Sequence, residues 1–164
     1  MKALQLVAPR KLEMCEIDDP VIDPENPEDA DKTIIGVKAC GLCGTDKFFW
    51  KTEGHGDYPR VLGHEIAGVI EEVGPTACTG ERTGPWLRQG DRVIINNIIS
   101  CQSCHTCRAN QENLCQNQAF LSFHVDGGLA QMIKVPYRNL VKLPDALSFE
   151  VGAILACAGG TALR

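Results

Sequence analysis

At 164 residues, with 44% hydrophobic and 23% charged side chains, the chain has the make-up of one globular domain large enough to bury a core. A net charge of −5 argues against nucleic acid or an anionic membrane as partner, and no run of eighteen apolar residues offers a membrane span. Nine cysteines, an odd count with no leader sequence before them, speak against a secreted disulfide framework and for thiolate metal sites in the cytoplasm.

In chain order, Lys2 to Val7 and Leu12 to Glu16 are expected to form two short strands joined by a turn at Pro9-Arg10. Asp18 to Asp31 follows, with three prolines among seven acidic residues. Prolines remove ladder donors and like charges repel, so this stretch predicts an exposed connector. Lys32 to Ala39 is rich in β-branched residues and predicts a strand that delivers Cys40-Gly41-Leu42-Cys43. Two cysteines two residues apart suit either a zinc knuckle or a redox pair. Thr45 and Asp46 then stand near the cap of a short helix carrying Phe48, Phe49 and Trp50, which line an apolar pocket or serve as core or interface aromatics. The loop around His55 is expected to be plain connection.

The next stretch, 61–74, is a strand-like run opening on Gly63-His64-Glu65. His64 offers an imidazole nitrogen to a metal, and Glu65 can bind or orient within the same shell. Gly63 and Gly68 predict a backbone bend or a close approach that a side chain would block. Pro75 to Gly90 is expected to be a surface excursion, with β character resuming over Asp91 to Asn97.

The strongest local signal is Cys101-x2-Cys104-x2-Cys107-x7-Cys115. Four thiolates at this spacing surround a tetrahedral ion and leave no open position, which makes the site structural. The last gap and the following Gln116 differ from the ferredoxin run that binds an iron–sulfur cluster, so zinc is expected, with His105 a bystander. Further on, Gly127 to Pro136 reads as a turn and strand, Leu140 to Leu143 as another, and Ser148 as the cap of a helix through Ile154. Cys157, among small apolar residues, has packing as its ordinary explanation.

Several motifs in this order resemble the catalytic, GroES-like domain of the zinc-dependent medium-chain alcohol dehydrogenases. They are Gly63-His64-Glu65-x2-Gly68-x5-Gly74-x2-Ala77, the four-cysteine lobe at about 98–118, Gly90-Asp91-Arg92-Val93 and Gly127-Gly128-Leu129-Ala130. The likeness runs over 1–164. It implies a mainly β (β-rich α+β) fold, a partly open barrel with short helices. It implies two zinc ions per chain: a catalytic one on Cys43, His64 and Cys157, and a structural one on Cys101, Cys104, Cys107 and Cys115.

By the same resemblance Asp46 holds the imidazole of His64, Glu65 is the carboxylate able to approach the metal, and Thr45 accepts the proton of the alcohol. The implied reaction is oxidation of a small-molecule alcohol to an aldehyde or ketone by hydride transfer to NAD or NADP. Phe48 stands where many members carry a relay histidine, so the onward proton route differs. No Gly-x-Gly-x-x-Gly follows a strand, so the Rossmann cofactor domain and the segment returning after it are expected to be absent, with weak turnover by these residues alone and self-association through an exposed apolar edge. The rival from another class is a stand-alone, non-enzymatic zinc-binding domain of the same fold. A purely structural protein has no reason to hold Thr45 and Asp46 beside Cys43.

Overall fold

The computed structural model describes residues 1–53, 57–77 and 87–163. Two antiparallel sheets carry the fold, and they do not close into a barrel. The smaller has the order β2-β1-β4, from Lys2–Ala8 (β1), Lys11–Glu16 (β2) and Arg60–Val61 (β4). The larger has the order β10-β6-β5-β3-β9: Leu140–Lys142 (β10), Arg92–Ile95 (β6), Glu65–Val73 (β5), Lys32–Gly41 (β3) and Met132–Pro136 (β9). The expected strands are all present, most with ends moved by a residue or two, whereas the run expected over 61–74 divides into Arg60–Val61 and Glu65–Val73. His55 and residues 78–86 of the predicted excursion lie outside the described residues.

The central pair, β3 and β5, sorts side chains between two faces by the two-residue period of a strand. Ile35 lies opposite Ile70 on the face of the main core, with Val93, Ile95, Val135 and Tyr137. A register shift between Val37 and Ala39 then inverts the alternation. Val37 faces the main core, but Ala39, two residues on, joins Ala67, Leu143 and Ala153 on the opposite face. Beyond the shift Cys40, opposite Ile66, packs against the main core, and Gly41 lies opposite Glu65. Gly68 lies opposite Val37, and a Cβ there would collide with the carbonyl of Gly36, which is the close approach expected of it.

The second face is covered by α2 (Phe149–Ile154), whose N-cap is Ser148, accepting from the Val151 N–H at 3.3 Å. Its entry is fixed by Arg92, which donates to the carbonyls of Pro144, Asp145 and Leu147 and lies 4.4 Å from the centre of the Phe149 ring. The helix runs on through a π segment, Leu155–Gly159, into Gly160–Ala162, with helical backbone angles at both joins. No described helix is long and apolar enough to cross a membrane.

Candidate metal centres

Cys43 is the N-cap of α1 (Gly44–Lys51), and its sulfur accepts the backbone N–H of Thr45 at 3.2 Å. Asp46, the third residue of that helix, reaches back and accepts the Cys43 N–H at 3.0 Å, completing a reciprocal cap. Its other oxygen accepts the N–H of Gly63 at 3.1 Å. Asp46 therefore ties the segment bearing Cys43 to the segment bearing His64. Gly63 makes the bend before His64 with φ +90°, a region costly for any residue with a side chain. The imidazole follows from this: Nε2 lies 3.1 Å from Cys43 Sγ, and Nδ1 lies 3.4 Å from the Asp46 carboxylate.

Cys157 arrives from the far side on the π segment, a local widening of a helix that often marks a functional position. The donor atoms of Cys43, His64 and Cys157 all lie within 4.8 Å of one another. Two sulfurs and an imidazole nitrogen are the ligand chemistry of zinc, and three ligands leave one tetrahedral corner free. Glu65, 6% exposed, neighbours the Cys157 thiol.

The electrostatics of the cluster follow from its contacts. Burial alone would raise the Cys43 pKa, but the hydrogen bonds from Thr45 and Asp46 and the pull of His64 outweigh it and lower it. Asp46 behaves likewise: burial opposes ionisation, and its bonds to His64 and to the Cys43 and Gly63 N–H groups hold its carboxyl below the usual range. His64 is raised, chiefly by Asp46. Burial, with the charges of Cys43 and Glu65, pushes the Cys157 thiol up to about 11.

The second cluster hangs on a two-stranded neck, Ile98–Ile99 (β7) paired with Ala119–Phe120 (β8). Within it Cys101 and Cys107 sulfurs stand 4.0 Å apart, and those of Cys104 and Cys115 3.9 Å apart. Four sulfurs each about 2.3 Å from one tetrahedral ion would stand about 3.8 Å apart, so the residues fit a single ion. Hydrogen bonds from Ser103 and Thr106 draw Cys101 down to about 5 and Cys104 to about 7, whereas burial pushes Cys107 up to about 12. His105 is exposed and outside the cluster.

The family model for the alcohol dehydrogenase GroES-like domain matches residues 29–145. The chain belongs to that family. It is similar to an alcohol dehydrogenase of Geobacillus stearothermophilus, 39% identical over 140 residues that cover 81% of this chain and 38% of that one. Among solved structures, the alcohol dehydrogenase of Aeropyrum pernix superposes with a TM-score of 0.81 at 31% identity, over all of this chain and 46% of that one. A protein of Escherichia coli CFT073 described as a short chain alcohol dehydrogenase, crystallised with NADH, gives 0.77 at 32%, over 94% and 42%. The chain thus spans about two-fifths of the length of these proteins.

Of the residues singled out in the sequence, Cys43, His64 and Cys157 come together, as do the four lobe cysteines, with Thr45, Asp46 and Glu65 around the first cluster. The Cys40–Cys43 knuckle or redox pair does not form: the inverted alternation of β3 turns Cys40 into the core, where its sulfur would meet any side chain at Gly63 at 2.5 Å. Burial, with the charges of Asp46 and Glu65, pushes its thiol up to about 12, which makes it inert. Of the three aromatics after Asp46, only Phe49 lines a cavity beside His64; Phe48 is half exposed and Trp50 packs with Leu6 and Leu62.

Three neighbours had no sequence signal. Ser122, buried at φ +67°, places its hydroxyl 3.4 Å from Asp46 and 3.5 Å from His64. Asn97 borders both the cavity beside His64 and a larger cleft of about 630 Å³ along the terminal helix. Asn139, 3% exposed, donates to the carbonyls of Asn96 and Ile98 at 2.7 and 2.8 Å and so holds the root of the four-cysteine lobe.

Proposed function

We propose that residues 1–164 are the catalytic domain of a zinc-dependent alcohol dehydrogenase that holds two zinc ions. One is catalytic, on Cys43, His64 and Cys157, and one structural, on Cys101, Cys104, Cys107 and Cys115. The convergence of Cys43, His64 and Cys157 beside a cavity, from three separate parts of the chain, carries this reading. Zinc held there would supply Lewis-acid chemistry, lowering the pKa of an alcohol oxygen and so favouring hydride transfer to NAD or NADP.

The chain's own residues do the rest. Asp46 fixes the His64 ring and both ligand-bearing backbones. Thr45, exposed at the cavity wall, takes the alcohol proton. Phe48 cannot relay it onward, and its exposed position leaves solvent as the acceptor. Glu65, beside Cys157, would be the carboxylate within reach of a zinc ion held by the three ligands. The larger cleft shares Cys157 and Asn97 with the substrate cavity and is the room from which a nicotinamide ring would reach it.

None of the eight described cysteines is in a disulfide, which suits the reducing cytoplasm. Val151, Ile154 and Leu155 make an exposed apolar row on the terminal helix, a surface through which copies would associate. Metal analysis tests the core of the proposal. Two zinc per chain are expected, falling to one in Cys43→Ser and to one in Cys107→Ser; a single zinc in the unaltered chain, unaffected by Cys43→Ser, would refute it.

A further inference from the structure

The cavity beside His64 has a volume of about 350 Å³, at the small end of the roughly 300–1,000 Å³ of small-molecule sites. Its walls are Phe49, Phe120, Leu121 and Phe123, with Phe49 and Phe123 stacked 4.9 Å apart. Its polar groups are nearly all committed. His64 faces Cys43 on one nitrogen and Asp46 on the other, Ser122 faces Asp46 and His64, and Cys157 belongs to the ligand cluster. Thr45 is the proton acceptor of the proposed reaction.

Asn97 differs from these. Its backbone carbonyl accepts the Leu121 N–H, but its side-chain amide has no hydrogen-bond partner among the described residues, and it is half-buried at the cavity edge. No lysine or arginine is among the described residues lining the cavity, and the carboxylates of Asp46 and Glu65 stand behind it. A phosphate or carboxylate on the substrate would find no cation there besides the proposed metal and would meet this negative charge. A polyol would leave most of its hydroxyls unpaired against aromatic rings.

The geometry points to a specific substrate class, resting on the function proposed above: an uncharged alcohol with an apolar body and one further hydroxyl or carbonyl, which the Asn97 amide binds. Asn97 is then the specificity-determining residue, since an amide can both donate to and accept from that second group. A site built to pair a second hydroxyl discriminates against the analogue lacking it, because its own polar group is left unpaired.

The test uses the 164-residue chain loaded with cobalt(II) in place of zinc, whose visible bands respond to a ligand entering the metal's free corner. Subtracting the spectrum of His64→Ala, which retains only the four-cysteine site, isolates the bands of interest. Styrene glycol, phenylethanol, mandelate and xylitol are titrated in turn. Styrene glycol is expected to bind about five-fold more tightly than phenylethanol, the factor of one net hydrogen bond. Asn97→Leu should bring that ratio to about one, and Asn97→Thr, which keeps a hydroxyl, should retain part of it.

A ratio that survives Asn97→Leu overturns the assignment, as does mandelate or xylitol binding as tightly as styrene glycol, or no response to either aromatic alcohol. Cobalt bands that His64→Ala leaves unchanged would instead overturn the metal site itself, and the substrate class with it.

Discussion

Asp46→Asn is the most informative single change, because Asp46 connects the two segments that bring Cys43 and His64 together. One carboxylate oxygen accepts the Cys43 N–H at 3.0 Å and the other the Gly63 N–H at 3.1 Å, in a side chain only 3% exposed. Hydrogen bonds to a charged group contribute about 1.5–3 kcal/mol each, so Asp46→Ala should cost about 3–6 kcal/mol, a large part of a total stability of about 5–15 kcal/mol. Asp46→Asn keeps one acceptor oxygen but turns an amide NH2 toward the remaining N–H. It should therefore cost about half as much, about 1.5–3 kcal/mol.

Urea unfolding followed by far-UV circular dichroism, with a chelator present so that metal loss is not counted, reads the difference. With a slope of about 2 kcal/mol per M, the midpoint of Asp46→Asn should fall by about 1 M. A fall of less than about 0.3 M would mean that the carboxylate serves only the imidazole and that the backbone connection contributes little.

Cys40→Ala should leave the zinc content of the chain unchanged, whereas Cys43→Ser should remove one ion; loss of metal from Cys40→Ala would restore the knuckle that the β3 alternation argues against. Asn139→Ala leaves the carbonyls of Asn96 and Ile98 without their donor, a loss of about 1–3 kcal/mol, and a chromogenic chelator should strip the four-cysteine site of this variant faster than the other site. Equal acceleration at both sites would contradict a local role. Asp29 is 5% exposed, and the hydrogen bond from Lys134, then the Asp23 N–H, holds its carboxyl below the ordinary value. Its folded pKa lies below the unfolded one, so its stabilisation is fully present above about pH 4 and is lost as pH falls through the folded value. The stability gap between the unaltered chain and Asp29→Asn should be constant from about pH 7 to 5 and narrow below about pH 4, and a gap flat throughout would exclude the pair as its source.

Much of the fold was legible because local chemistry and tertiary demand agree. The β-branched run at 32–39, the prolines at 20, 24 and 27, and Ser148 before an apolar helix each specify their structure without help from elsewhere. The four lobe cysteines were legible for the same reason, since fifteen residues contain the whole site. Cys157 was not legible from its own surroundings, where packing was the ordinary reading; only family likeness tied it to residues more than ninety positions away. The fate of Cys40 was illegible because it turns on the register shift between Val37 and Ala39, which leaves no mark in composition. Ser122 and Asn97 were missed because their importance lies in what folds around them, and a lone serine or asparagine in a loop carries no signal of that.

The irregularity in β3 has a consequence for how the chain can vary. Parity along this strand decides which of Cys40 and Gly41 enters the core and which lies across from Glu65. Adding or deleting one residue between Val37 and Cys43 would exchange those two positions, driving a thiol against the carboxylate and leaving a hole where sulfur now packs. Spacing in this segment should therefore tolerate less change than the identity of exposed Leu42.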